Sequence, residues 1–102
     1  RGGITMDIKE IKDTVSAVAR KYNVDSVFLF GSYARKEQNT KSDIDLRVNK
    51  GALRGALKLA AMRDEIEHRL RLPVDLVTTG ALSDDFLREI ENEEILLYGQ
   101  KQ

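Results

Sequence analysis

Residues Val27–Val48 read VFLFGSYARKEQNTKSDIDLRV, and the two ends of this stretch decide the architecture. Val27-Phe28-Leu29-Phe30 is a short apolar run, β-branched and aromatic, that fits a strand buried on both faces and is too short for a helix read on periodicity. Gly31 ends the run and lets a ligand approach the main chain closely. Ser32 adds a hydroxyl able to donate to a phosphate oxygen. In Ser42-Asp43-Ile44-Asp45-Leu46-Arg47-Val48 the alternation is strict. Ile44, Leu46 and Val48 fall on one face, and Asp43, Asp45 and Arg47 on the other. Aspartate is a poor strand former. Two carboxylates at ~4–5 Å repel by roughly 3–4 kcal/mol at an effective dielectric of ~20. A divalent cation reverses that sign, and hard oxygen ligands suit Mg²⁺ or Mn²⁺. Taken alone, Gly-Ser is an ordinary turn and Asp-x-Asp an exposed edge strand. Together they read as a phosphate-holding turn beside a metal-binding carboxylate pair.

A third acid extends the pattern. Pro73-Val74-Asp75-Leu76-Val77-Thr78 is another apolar run with one carboxylate inside it. Val74 and Leu76 share a face; Asp75 and Val77 share the other. If this strand neighbours the first acidic one, Asp75 joins Asp43 and Asp45 on one surface. Three acids, a Gly-Ser turn and a cation outline a phosphoryl-transfer site.

These residues carry a family resemblance. Gly31-Ser32-x-Ala34-Arg35, then Ser42-Asp43-x-Asp45-Leu46, then Val74-Asp75-Leu76-Val77, resembles the minimal nucleotidyltransferases of the DNA polymerase β superfamily, over about Met6 to Gly99. Within that group the chain is similar to the antitoxin partner of a HEPN ribonuclease toxin. The resemblance implies a protein adenylyltransferase that moves AMP from ATP onto a tyrosine of the toxin. It implies that Asp43, Asp45 and Asp75 are the catalytic and metal-binding acids, with Asp75 also accepting the proton of the attacking hydroxyl. It implies nucleotide contacts from Gly31, Ser32, Arg35 and Ser42. The chain departs from the family pattern at Lys36, where glycine is usual, and at Arg47, where an apolar residue is common. Either the turn at Lys36 is built differently or its charge lies near the phosphates. Arg47 shares the carboxylate face, so it is expected to contact nucleotide or partner rather than to pack. Arg35 has two readings, a phosphate contact or a brace for the loop through a carboxylate.

Composition narrows the field. The 102 residues make one domain, with 17 basic and 17 acidic side chains and no net charge. Such balance argues against strong general nucleic-acid binding, which goes with a basic excess. The absence of cysteine fits a cytoplasmic chain and excludes disulfides and thiolate-bound zinc. No apolar run approaches the ~18 residues of a membrane span. Arg1–Thr5 reads as a vector remnant or a lone Arg-Gly segment, residues 6–99 as the domain, and residues 100–102 as a tail.

The rest of the chain supplies the scaffold. Ile8, Ile11, Val15, Val18 and Tyr22 recur at helical spacing over Asp7–Tyr22, with Asn23 as the stop. Tyr33–Glu37 is expected to be a short helix whose first amides face the phosphates. Ala52–Leu70 is expected to be the longest helix, its apolar face made by Leu53, Leu57, Ala60, Met62, Ile66 and Leu70. Gly55 then falls inside it, at a cost of up to ~1 kcal/mol relative to alanine that tight packing would explain. His68, the sole histidine, is read as a surface residue. Ser83 is an N-cap with Asp84 and Asp85 behind it, and Ile95–Tyr98 is a helix or strand covering the sheet edge. The order helix, strand, strand, helix, strand, helix predicts a small α/β (α+β) fold, which the resemblance implies to be of polymerase β type. It has a mixed sheet, helices packed on one face and the site on the open face. So small a chain has little room for an acceptor-binding domain, which favours a protein partner over a small molecule. Two other functions stay open: an antitoxin that neutralises its partner by binding alone, and a nucleotidyltransferase acting on RNA or a small molecule.

Overall fold

Helix α1 (Ile8–Tyr22) begins where the Asp7 side chain accepts from the Glu10 N–H at 2.9 Å and ends where Asn23 turns left-handed at φ 60°. The computed structural model describes residues 6–99; the expectations for residues 1–5 and 100–102 lie outside the described residues. The stripe Ile11, Val15, Val18 and Ala19 is fully buried. Strand β1 (Ser26–Phe30) follows and is buried throughout, as its apolar run demands. A single helical turn, α2 (Gly31–Ala34), leads through a polar loop to strand β2 (Ile44–Asn49), where buried and half-buried residues alternate strictly. Helix α3 (Ala56–Leu70) and strand β3 (Val74–Thr78) come next, then a 3₁₀ turn (Thr79–Ala81), helix α4 (Asp84–Ile90) and strand β4 (Ile95–Gly99).

The four strands form one mixed sheet in the order β3-β2-β1-β4. β1 is antiparallel to both β2 and β4, whereas β2 and β3 run parallel and are joined across α3. Val27, Leu29, Ile44, Leu46, Val48, Val74 and Leu97 point to one face, where Ile11, Val15 and Val18 of α1 and Met62, Ile66 and Leu70 of α3 meet them. Burying each large apolar side chain contributes about 1.5–3 kcal/mol, so this layer carries the fold and frees the other face for polar residues. On that other face α4 covers only part of β1: Phe86 meets Phe30 edge-on at 5.8 Å between ring centres. At the outer rim of β3, the Val74 N–H donates to the Glu67 carboxylate at 2.8 Å. Among the described residues no helix is long and apolar enough to cross a membrane.

Three expectations are corrected. The third helix starts at Ala56, not Ala52: Gly55 precedes it with φ 94° and open space around the missing Cβ, so this glycine serves a turn and not a tight contact. Leu57 and Ala60, assigned to the buried face, are exposed, Leu57 by 86%, while Leu59 packs against the core instead. The short helix occupies Gly31–Ala34 rather than residues 33–37, because the chain turns directly at the glycine and Arg35 already closes it. Ile95–Leu97 and its neighbours resolve as an edge strand paired with β1. His68 is exposed, as read.

Candidate active site

The parallel pairing of β2 and β3 sets Asp45 directly beside Asp75 on the face that α1 and α3 leave uncovered. Asp43 lies just before β2 and is exposed, as is Asp75; Asp45 is half-buried. Burial, and then the charges of Asp75 and Asp43, push the Asp45 carboxyl up to about 6, against a smaller opposing pull from Arg35. The electrostatics therefore tie all three acids together around Asp45. Among the described residues, no three acidic or histidine side chains converge as a ready-made ion cage.

The Gly-Ser turn lies against these acids. Gly31 has φ +78°, and a Cβ at this position would overlap the Asp45 Oδ2 atom. Both the dihedral and the close approach call for glycine. α2 is anchored from beneath by Tyr33, which is buried, and burial raises its phenol above the ordinary range. The Gly31 N–H donates to Glu93 Oε2 at 2.8 Å. Arg35 donates from Nε to Glu37 at 3.0 Å and from Nη1 to the two Glu93 oxygens at 3.2 and 3.4 Å. Of the two readings of Arg35, the carboxylate brace is thus realised here, and its side chain remains 44% exposed. Lys36 adopts φ 60°, the left-handed geometry that glycine would take without strain. The turn is accordingly built in the glycine-like way, with a lysine in the glycine's place. Ser42 closes the loop before β2, its hydroxyl accepting from the Asn39 N–H at 2.9 Å.

Arg47 lies on the acid face, as its strand register requires, but it packs. It makes two bonds to the Glu94 carboxylate at 2.5 and 2.9 Å and one to the Thr79 hydroxyl at 2.7 Å, and its guanidinium stacks 4.3 Å from the centre of the Phe28 ring. Its side chain is only 11% exposed. Arg47 thus packs where it was expected not to: three donors and one ring face are engaged inside the chain. Thr79 extends the network by donating to Asn49 at 2.5 Å, and Asn49 donates to Ser26 at 2.8 Å.

Glu93 and Glu94 are the residues that sequence reasoning missed. They belong to Glu91-Asn92-Glu93-Glu94 between α4 and β4, an acidic run that reads as a solvated turn. Its one distinguishing signal is position, immediately before an apolar strand. Only the antiparallel pairing of β4 with β1 folds the run back onto Gly31 and Arg47.

The donor set suits a hard divalent cation. Asp43, Asp45 and Asp75 offer carboxylate oxygens, and Asp45 resists ionisation in just the way an added positive charge would relieve.

Residues 9–102 match the model of a family described as polymerase beta, nucleotidyltransferase. A protein of Methanocaldococcus jannaschii, named by inference as a protein adenylyltransferase, is 37% identical over 93 residues, spanning 87% of this chain and 95% of its own. The solved structure of a minimal nucleotidyltransferase, also named by inference, superposes with a TM-score of 0.76 at 28% identity, covering 91% of this chain and 98% of that one. A chain in the structure of the tri-AMPylated Shewanella oneidensis HEPN toxin in complex with MNT antitoxin gives a TM-score of 0.70 at 19% identity, covering 90% of this chain and 72% of that one; at that identity the likeness concerns the fold.

Proposed function

The chain belongs to the polymerase beta nucleotidyltransferase family, and from that premise we propose that it is a protein adenylyltransferase, transferring AMP from ATP to a tyrosine hydroxyl of a HEPN-type ribonuclease toxin and so acting as the toxin's antitoxin in the cytoplasm. The observation that carries this reading is the pairing of Asp45 with Asp75 beside a glycine whose missing Cβ leaves room for the Asp45 carboxylate. The name of the M. jannaschii relative, at 37% identity, supports protein as the acceptor class. The HEPN toxin in the Shewanella complex supports the partner.

In this mechanism Gly31, Ser32 and Arg35 hold the β- and γ-phosphates, and Ser42 borders the α-phosphate from the loop before β2. The tyrosine oxygen attacks the α-phosphorus. A new P–O bond forms, the bond to the bridging oxygen breaks, and pyrophosphate leaves with the bonding pair. Asp75, on the exposed rim of the sheet, accepts the phenolic proton. Asp43 and Asp45, with Asp75, would hold Mg²⁺ or Mn²⁺, whose positive charge offsets that of the triphosphate and the leaving group. Arg47 stands behind the acids, bracing the Glu94 turn. The uncovered part of the sheet leaves the acceptor to come from outside, so the partner supplies both the hydroxyl and the missing wall.

The test is to incubate the protein with α-labelled ATP, Mg²⁺ and a HEPN toxin encoded beside it. Stable label on the toxin, lost in Asp43→Asn and in toxin lacking its acceptor tyrosine, is the expected result. Tight complex formation without label would replace transfer by simple blockade.

A further inference from the structure

Glu93 reaches the Gly-Ser turn from 62 residues away in the chain, and what it holds there is a pair of anion-binding donors. One oxygen accepts from the Gly31 main-chain N–H at 2.8 Å, and both lie within 3.2–3.4 Å of Arg35 Nη1. A backbone amide and a guanidinium converging on one oxygenated anion is the donor arrangement that phosphates take. We propose that Glu93 is a built-in competitor of the triphosphate: its carboxylate fills the anion position at Gly31 and Arg35 and swings away when a nucleotide is seated. This rests on the reading of Gly31, Ser32 and Arg35 as the phosphate-holding group.

Three observations support a competitor over a permanent brace. First, the Glu93 side chain is 21% exposed, so it is reachable by a ligand and can turn into solvent. Second, its neighbour Glu94 is fixed by the Arg47 pair, with both side chains 11% exposed. The backbone of the turn is therefore pinned, also by the Glu93 and Glu94 N–H groups on the Ile90 carbonyl at 3.0 Å. Only side-chain torsions need change for Glu93 to depart. Third, Glu93 brings a further carboxylate to the Gly31 turn, whose missing Cβ already faces the Asp45 carboxylate. A carboxylate binds these two donors through charge-assisted bonds and so is suited to holding the place of another anion, whereas an uncharged side chain holds them less firmly. Release would also lower the negative charge around Asp45 as the phosphates arrive.

The experiment measures binding of a nonhydrolysable ATP analogue with Mg²⁺, of inorganic tripolyphosphate and of adenosine to the full chain. Glu93→Gln is expected to bind both phosphate-bearing probes about three- to tenfold more tightly, as when the open arrangement is about 10–30% populated beforehand. Adenosine affinity should not change. Glu37→Gln removes the same charge from the other partner of Arg35 without touching Gly31, and should shift the affinities less than about twofold, as exposed pairs do. Unchanged or weaker triphosphate binding by a folded Glu93→Gln, or an equal gain in Glu37→Gln, overturns the proposal and leaves the phosphate-holding turn intact. Triphosphate binding by neither wild type nor variant overturns both. A crystal structure of the wild type with the ATP analogue gives an answer that needs no variant: Glu93 away from Gly31 supports the exchange, and Glu93 still bonded to the Gly31 N–H with triphosphate present overturns it.

Discussion

At Gly31, backbone and site make the same demand. The dihedral of +78° and the Asp45 carboxylate beside the missing Cβ both exclude a side chain. Gly31→Ala should therefore lose about 1–3 kcal/mol, from left-handed strain and displacement of Asp45. Urea unfolding measures the first effect, and loss of label transfer the second. Lys36 is the opposite case, a side chain where glycine would be unstrained at φ 60°. Lys36→Gly relieves that strain but frees the unfolded chain, so the expected result is between no change and about 1 kcal/mol of added stability. Label transfer by this variant should match the wild type, which checks that the charge of Lys36 is not needed at the phosphates. The need for glycine at 31 was legible because an apolar run stopped there before a serine. The left-handed turn at 36 was not, because lysine seldom adopts it and no local rule marks it.

Elements were legible where periodicity was strong. α1 follows its stripe to within a residue, and β2 alternates as its sequence does. α3 was read too long because Leu53 is buried and so looks helical, although it sits in the turn before the helix. Hydrophobic spacing reports burial, and burial does not require a helix. The placing of Asp75 next to Asp45 followed from pattern once β3 was assumed to adjoin β2. The tie between Arg47 and the entry of β4 could not be foreseen, because its partner is 47 positions away. That tie is testable. Both side chains are nine-tenths buried, so Arg47→Met should cost about 3 kcal/mol by stranding Glu94 without its partner. The double variant Arg47→Met with Glu94→Met should lose clearly less than the single one, as thermal or urea melts of the three proteins will show.

Across the whole molecule, one layer carries stability and the uncovered face carries the acids at the expense of stability. Burial and neighbouring charge raise the Asp45 carboxyl to about 6 from 3.8. Between these values the folded chain holds a proton that the unfolded chain releases. The associated stability is full below pH ~4 and is lost as pH rises through about 6. Because the group is half exposed to solvent, the loss should be on the order of 1–2 kcal/mol. Melting temperatures from pH 4 to 7 should show this decline in the wild type and little of it in Asp45→Asn. Mg²⁺ added at pH 7 should restore part of the loss to the wild type alone. The α/β class was readable from the order of helix- and strand-period segments, and the polymerase β arrangement from the family resemblance carried by the glycine turn and the three acids. β4 was not, since the short apolar run Ile95–Tyr98 fits helix and strand equally, whereas α4 was, through the Ser83 cap that accepts from the Phe86 N–H.

The rim of β3 has a consequence for behaviour at high concentration. The Val74 N–H faces away from β2, and the Glu67 carboxylate already occupies it. A second molecule seeking to extend the sheet would have to displace a charged group at its opening rung. This edge strand is thereby protected from self-templated aggregation by a side chain of the neighbouring helix α3.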